Sequence, residues 1–148
     1  MPKPKKPKVL IVTSRYYAHI AAELEAGAIE ALEAAGAKHG IMEVPGALEI
    51  PAAISLADSW TDYDGFVALG CVIRGETSHY DIVAGESARA LMDLTLAECV
   101  IGNGILTVEN EAQALARARR SEKNKGADAA NAALAMIKIK RTLIPGEA

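Results

Sequence analysis

Aromatic side chains are scarce in this chain. Phe66, Trp60 and four tyrosines make up 4% of it, although 51% of its residues are hydrophobic. A core must therefore be assembled from aliphatic residues and alanine. Cysteine is rarer still: Cys71 and Cys99 form no CxxC pair and read as reduced, packed thiols. His19, His39 and His79 are too widely spaced to complete a metal-ligand cluster with them, so no metal is expected. No apolar run approaches the roughly 20 residues of a membrane span. Met1 to Lys8 lacks the apolar centre of a secretion signal, so a cytoplasmic protein without a membrane partner is expected. A net charge of −3 gives no basic field for nucleic acid. Also missing are a GxGxxG fingerprint, a P-loop and a nucleophile elbow, which removes the commonest nucleotide-binding and hydrolase signatures.

What is present suits one domain. A chain of 148 residues typically buries about 70% of its unfolded surface, so it needs no staple. Lys3, Lys5, Lys6 and Lys8 alternate with Pro2, Pro4 and Pro7. Prolines lack backbone donors and lysines stay solvated, so residues 1–8 read as a disordered Pro/Lys-rich arm ahead of a domain at 9–148.

Beyond the arm the apolar rhythm alternates. Lys8 to Thr13 is a continuous β-branched run, as in a strand buried on both faces. Tyr17 to Ala35 has helical spacing and stops at Gly36. Lys38 to Val44 predicts a second strand, and Leu48 to Ser59 a helix with Pro51 in its first turn. Asp64 to Ile73 is the strongest strand signal, followed by a helix from Asp81 to Glu98. Ile101 to Val108 predicts the fourth strand. Two final helices, Glu109 to Arg120 and Asp128 to Arg141, are separated near Asn124 to Gly126, where Gly126 reads as a turn. This alternation predicts an α/β protein, a flavodoxin-like three-layer α/β/α sandwich around a four-stranded parallel sheet. Such sheets bind ligands beyond the carboxyl ends of their strands.

The four strand ends carry Ser14 to Tyr17, Pro45 to Pro51, Ile73 to Asp81 and Thr107 to Asn110. All four stretches are expected on one rim. Gly75, Glu76 and Thr77 precede a helix start, a combination that seats a phosphate on backbone N–H groups. Beside them His79 is either a proton shuttle or a loop residue that caps the helix. Glu49 either caps the helix after Pro45 or accepts hydrogen bonds from a polyhydroxylated ligand. Tyr16 is either packed or a stacking face for a heterocycle. Of Arg117, Arg119 and Arg120, one is suited to reach a phosphate.

Four blocks of sequence resemble the lumazine synthase family: Val44 to Pro51, Leu69 to Asp81, Gly104 to Asn110 and Lys123 to Gly126. The resemblance covers nearly the whole chain after the arm. It implies riboflavin biosynthesis: condensation of 5-amino-6-(D-ribitylamino)uracil with 3,4-dihydroxy-2-butanone 4-phosphate, without a cofactor. Carried over by position, His79 is implied as the proton donor. Tyr16 is implied to stack on the pyrimidinedione, and Ala47, Leu48 and Glu49 to bind the same substrate. Cys71, Val72 and Ile73 are implied to read its polar edge through their backbone, and Lys125 to lie near the ribityl chain. Gly75, Glu76, Thr77 and Arg117 are the implied phosphate contacts. Two positions depart from the family pattern. Asn103 stands where many members carry an aromatic against the heterocycle, and Leu48 where phenylalanine is common.

The resemblance further implies a homopentamer whose sites lie between subunits, with Asn103, Arg117 and Lys125 coming from the adjacent chain. Some members close into 60-subunit shells; the proline-rich arm favours free pentamers here. The two departures feed an alternative expectation, a weakly active paralogue that binds flavin or lumazine or serves as a scaffold.

Overall fold

The computed structural model describes residues 5–146. Strand β1 (Lys8–Ser14), helix α1 (Ala18–Ala34) and strand β2 (Lys38–Val44) open the fold. A single 3-10 turn (Ala47–Glu49) leads into α2 (Ile50–Trp60), where Pro51 sits in the first turn and needs no backbone donor. Then follow β3 (Gly65–Ile73), α3 (His79–Leu96), β4 (Ile101–Val108), α4 (Glu111–Ala118) and α5 (Lys125–Leu143). The strands form one parallel sheet in the order β2-β1-β3-β4. All four therefore end on the same rim, at Val44, Ser14, Ile73 and Val108.

Alternation along the strands sorts the core into two halves. Val9, Ile11, Val67, Leu69, Leu106 and Val108 face α1, α4 and α5. Leu10, Val12, Phe66, Ala68 and Val72 face α2 and α3. The result is the expected three-layer α/β/α flavodoxin-like sandwich. β2 lies at a sheet edge, and most of its residues are exposed. No helix among the described residues is long and apolar enough to cross a membrane.

Small residues set how closely the layers approach. A Cβ at Gly102 would collide with the carbonyl of Ala129 on α5, and one at Gly126 with the carbonyl of Leu24 on α1. Gly126 is thus not a turn between helices but part of the first turn of α5, which starts three residues earlier than the sequence pattern suggests. Its lack of a side chain is required by the crossing with α1, and left-handed Asn124 (φ 46°) supplies the change of direction just before it. α4 ends at Ala118 because Arg119 turns to extended geometry (ψ 131°).

Of the basic arm, Met1 to Pro4 lie outside the described residues. Residues 5–7 are tied to the domain: the Lys5 carbonyl accepts from Arg141 (2.7 Å) and that of Pro7 from the Lys38 N–H (2.8 Å). Lys8, read as the end of the arm, is already the first residue of β1.

Candidate active site

A cavity of about 430 Å³ opens on the carboxyl rim of the sheet. The turn after β1 contributes Tyr16 and Tyr17, whose rings meet edge-on with centroids 5.0 Å apart. The turn after β2 contributes Ala47, Leu48 and Glu49. The end of β3 supplies Cys71, Val72 and Ile73, and the segment entering α3 adds Gly75, Thr77, His79 and Tyr80. Glu76 lies exposed in the same turn, outside this lining.

α3 begins at His79, two residues before its expected start, so the imidazole belongs to the helix's first turn. The Thr77 hydroxyl accepts from the His79 backbone N–H (3.3 Å), and Ser78 makes no side-chain cap. First-turn amides of α3 remain available to an anion, favoured further by the helix dipole. Among the described residues, the His79 ring and the Glu49 carboxylate have no hydrogen-bond or ion-pair partner, so neither is consumed by structure. Glu49 makes no cap; its carboxylate lies over Gly46 instead. Burial pushes the Cys71 thiol up to about 11, so at neutral pH it is a protonated wall atom and no nucleophile. Burial likewise raises the Tyr17 phenol.

The turn is braced from beneath by Arg74. Its guanidinium lies 4.2 Å from the centre of the Tyr80 ring and pairs with Glu109 (2.8 Å) and Asp81 (3.3 Å). It thereby joins the β3–α3 connection to the β4–α4 connection. Sequence pattern alone gave no sign of this brace.

The remaining candidates lie elsewhere. Asn103, Arg117 and Lys125 line a separate cavity of about 340 Å³ between β4, α4 and α5, sharing no residue with the first. The end of β4 shares the rim with the other three strand ends but does not line the first cavity: Thr107 faces the second. Within one chain Arg117 does not reach the phosphate turn. Its Nη1 donates to the Gln113 carbonyl (3.1 Å), and it alone among the described arginines has no carboxylate partner, whereas Arg119 pairs with Glu122 and Arg120 with Glu30. Lys125 pairs with Asp128 (3.3 Å) one turn along α5. No group of three or more His, Cys, Asp or Glu residues suited to a metal occurs among the described residues.

Residues 6–141 match the family model described as 6,7-dimethyl-8-ribityllumazine synthase. The chain belongs to that family. It is 61% identical over 146 residues to the 6,7-dimethyl-8-ribityllumazine synthase of Methylobacterium radiotolerans, covering 95% of this chain and 89% of that protein. The Agrobacterium fabrum protein of the same name is 60% identical, covering 93% of this chain and 97% of its own length. 6,7-dimethyl-8-ribityllumazine synthase 1 of Rhizobium meliloti is 58% identical, with 97% of each chain covered. Lumazine synthase membership gives the two cavities a common frame. The residues singled out for the ring and the proton gather in the first; Asn103, Arg117 and Lys125 gather in the second.

One buried carboxylate escaped sequence reasoning. Glu25 follows Leu24 on α1 and nothing in the spacing singles it out, yet it is buried. The only available signal is its position one turn from Ala21 and Ala28 on the inner face of the helix.

Proposed function

We propose that this chain condenses 5-amino-6-(D-ribitylamino)uracil with 3,4-dihydroxy-2-butanone 4-phosphate. The products are 6,7-dimethyl-8-ribityllumazine, inorganic phosphate and water, and no metal or organic cofactor takes part. The observation that carries this reading is the first cavity, which brings together a stacking face, an unpaired carboxylate and an unpaired imidazole beside a helix N-terminus.

The chemistry asks for those parts. Tyr16 stacks on the pyrimidinedione, backbone groups of Cys71, Val72 and Ile73 read its polar edge, and Glu49 accepts from ribityl hydroxyls. Ala47 and Leu48 shape the wall beside it. The 5-amino group adds to the ketone to give a carbinolamine. His79 protonates the departing hydroxyl as this dehydrates to an imine. Elimination then expels phosphate, whose developing charge is held by the Gly75–Thr77 turn and by Arg117. Ring closure and loss of a second water complete the product. Holding two substrates in register supplies much of the rate.

In this reading the active unit is a homopentamer, and each site joins the first cavity of one subunit to the second cavity of its neighbour. Support comes from the division of site residues between two cavities of one chain. It comes also from the exposed apolar side chains Ile41 and Met42 on β2, Leu56 and Trp60 on α2, and Ile82 and Met92 on α3. Free thiols at Cys71 and Cys99 suit a reducing cytoplasm. Mixing the two substrates with the protein and recording lumazine fluorescence tests the reaction. Product formation that is abolished by heat-denaturing the protein supports it, and fluorescence no faster than in buffer refutes it.

A further inference from the structure

We infer that Glu25 is a positioning residue: its buried carboxylate, clamped on Arg15, fixes the turn after β1 and so orients the Tyr16 ring in the cavity. The inference rests on the proposed reaction only for the identity of the ring that Tyr16 meets.

Glu25 is the one carboxylate buried among the described residues, at 8% exposure. Burying a carboxylate is costly unless it is paired and hydrogen-bonded. Here it receives the Thr13 hydroxyl (3.1 Å) and two arms of the Arg15 guanidinium, Nε (3.0 Å) and Nη2 (2.8 Å). The remaining arm of Arg15 donates to Glu43 on β2 (3.2 Å). One arginine thus locks the end of β1 to α1 and β2 with a planar fork that a lysine does not reproduce.

Arg15 and Tyr16 occupy the gap between β1 and α1. No backbone hydrogen bond outside the helices and strands involves either residue among the described residues. Tyr16 is 77% exposed, and its aromatic neighbour is Tyr17. Packing alone therefore does little to hold the ring, and its aim follows the path of the backbone, which the Arg15 fork determines. A carboxylate placed only for stability has no reason to grip the residue directly before the stacking face.

The test uses the whole protein and 6,7-dimethyl-8-ribityllumazine, titrated by its own fluorescence. The proteins are the wild type, Glu25→Gln, Arg15→Lys, Tyr16→Ala and the two double variants with Tyr16→Ala. Each single clamp variant is expected to weaken lumazine binding about fivefold, with almost no further loss when Tyr16 is already alanine. The KM for the ribitylaminouracil rises in parallel, while that for the butanone phosphate stays put. Equal losses in the presence and absence of the Tyr16 ring, or unchanged affinity with a lowered Tm, overturn the inference. If Glu25→Gln fails to fold, Arg15→Lys decides by the same criterion. Wild-type turnover from the two substrates tests the reaction separately, so binding without turnover overturns the reaction and leaves the clamp to be judged on affinity.

Discussion

His79 and Arg117 line different cavities of the same chain. His79 opens α3 beside the phosphate turn, whereas Arg117 lies on α4 facing Asn103 and Lys125. Both are free of carboxylate partners among the described residues, and the proposed reaction needs both at one phosphate-bearing substrate. In the proposed reaction, their separation calls for a neighbouring subunit at each site.

The two residues should fail in different ways. His79→Ala should lower kcat about 100-fold, the low end of general acid catalysis, and leave lumazine affinity nearly unchanged. Arg117→Ala should raise the KM for the butanone phosphate about tenfold and spare that for the ribitylaminouracil. Steady-state kinetics with each substrate varied in turn separates the patterns. The same pattern in both variants contradicts the roles given.

Asn103 offers a gain-of-affinity test. If the second cavity completes the ring site of an adjacent subunit, Asn103→Phe adds an aromatic face to it. Lumazine should bind about fivefold more tightly, in keeping with an aromatic pair worth roughly 1 kcal/mol. An unchanged dissociation constant, with the assembly intact by light scattering, places Asn103 away from the ring.

Close packing against α5 predicts a stability effect. Gly126→Ala and Gly102→Ala each force a methyl group into a backbone carbonyl, which should cost about 1–3 kcal/mol. Urea denaturation measures this loss. Because α5 also carries Lys125, activity should fall with Gly102→Ala even where the protein remains folded.

The thiols predict a pH dependence above neutrality. Burial pushes Cys71 up to about 11 and, with Asp58 contributing, Cys99 up to about 12, from an ordinary 9.0. Below pH 9 both folded and unfolded chains keep these protons, so the thiols add no slope. Above it the unfolded chain releases them while the folded chain holds on, so stability falls as pH rises towards the folded values. The urea midpoint should drop between pH 8 and pH 10.5, and the drop should be smaller in a Cys71→Ala, Cys99→Ala double variant. Equal drops in the two proteins contradict the assignment.

Much of this was legible in the residues. Spacing marks Lys38–Val44 and Ile101–Val108 as strands with the limits the structure has, and Pro45 with Gly46 closes the first of them. Glycine misled at Gly126, where pattern reading sees a breaker and the structure uses the missing side chain for a helix crossing. Glu25 was hidden because amphipathic spacing assigns a carboxylate to solvent, and only the Thr13 and Arg15 partners, brought together by the fold, make its burial possible. The strand-end argument rightly puts Thr107 on the rim of the other three ends, but not in the second cavity that it faces. Which side of an edge strand faces which cavity depends on α4 and α5, and spacing does not contain that information.

The central claim, that one site is built from two subunits, is tested most directly by mixing two impaired proteins and assaying them with the butanone phosphate well below its KM. His79→Ala and Arg117→Ala chains are unfolded together and refolded into hybrid assemblies, and lumazine formation is recorded. If sites lie between subunits, random mixing gives about a quarter of them an intact His79 on one side and an intact Arg117 on the other. Activity should then recover to about a quarter of the wild-type value, against about a tenth for Arg117→Ala and about a hundredth for His79→Ala refolded alone. Hybrids no more active than the average of the two parents would contradict a shared site and place the whole reaction within one chain.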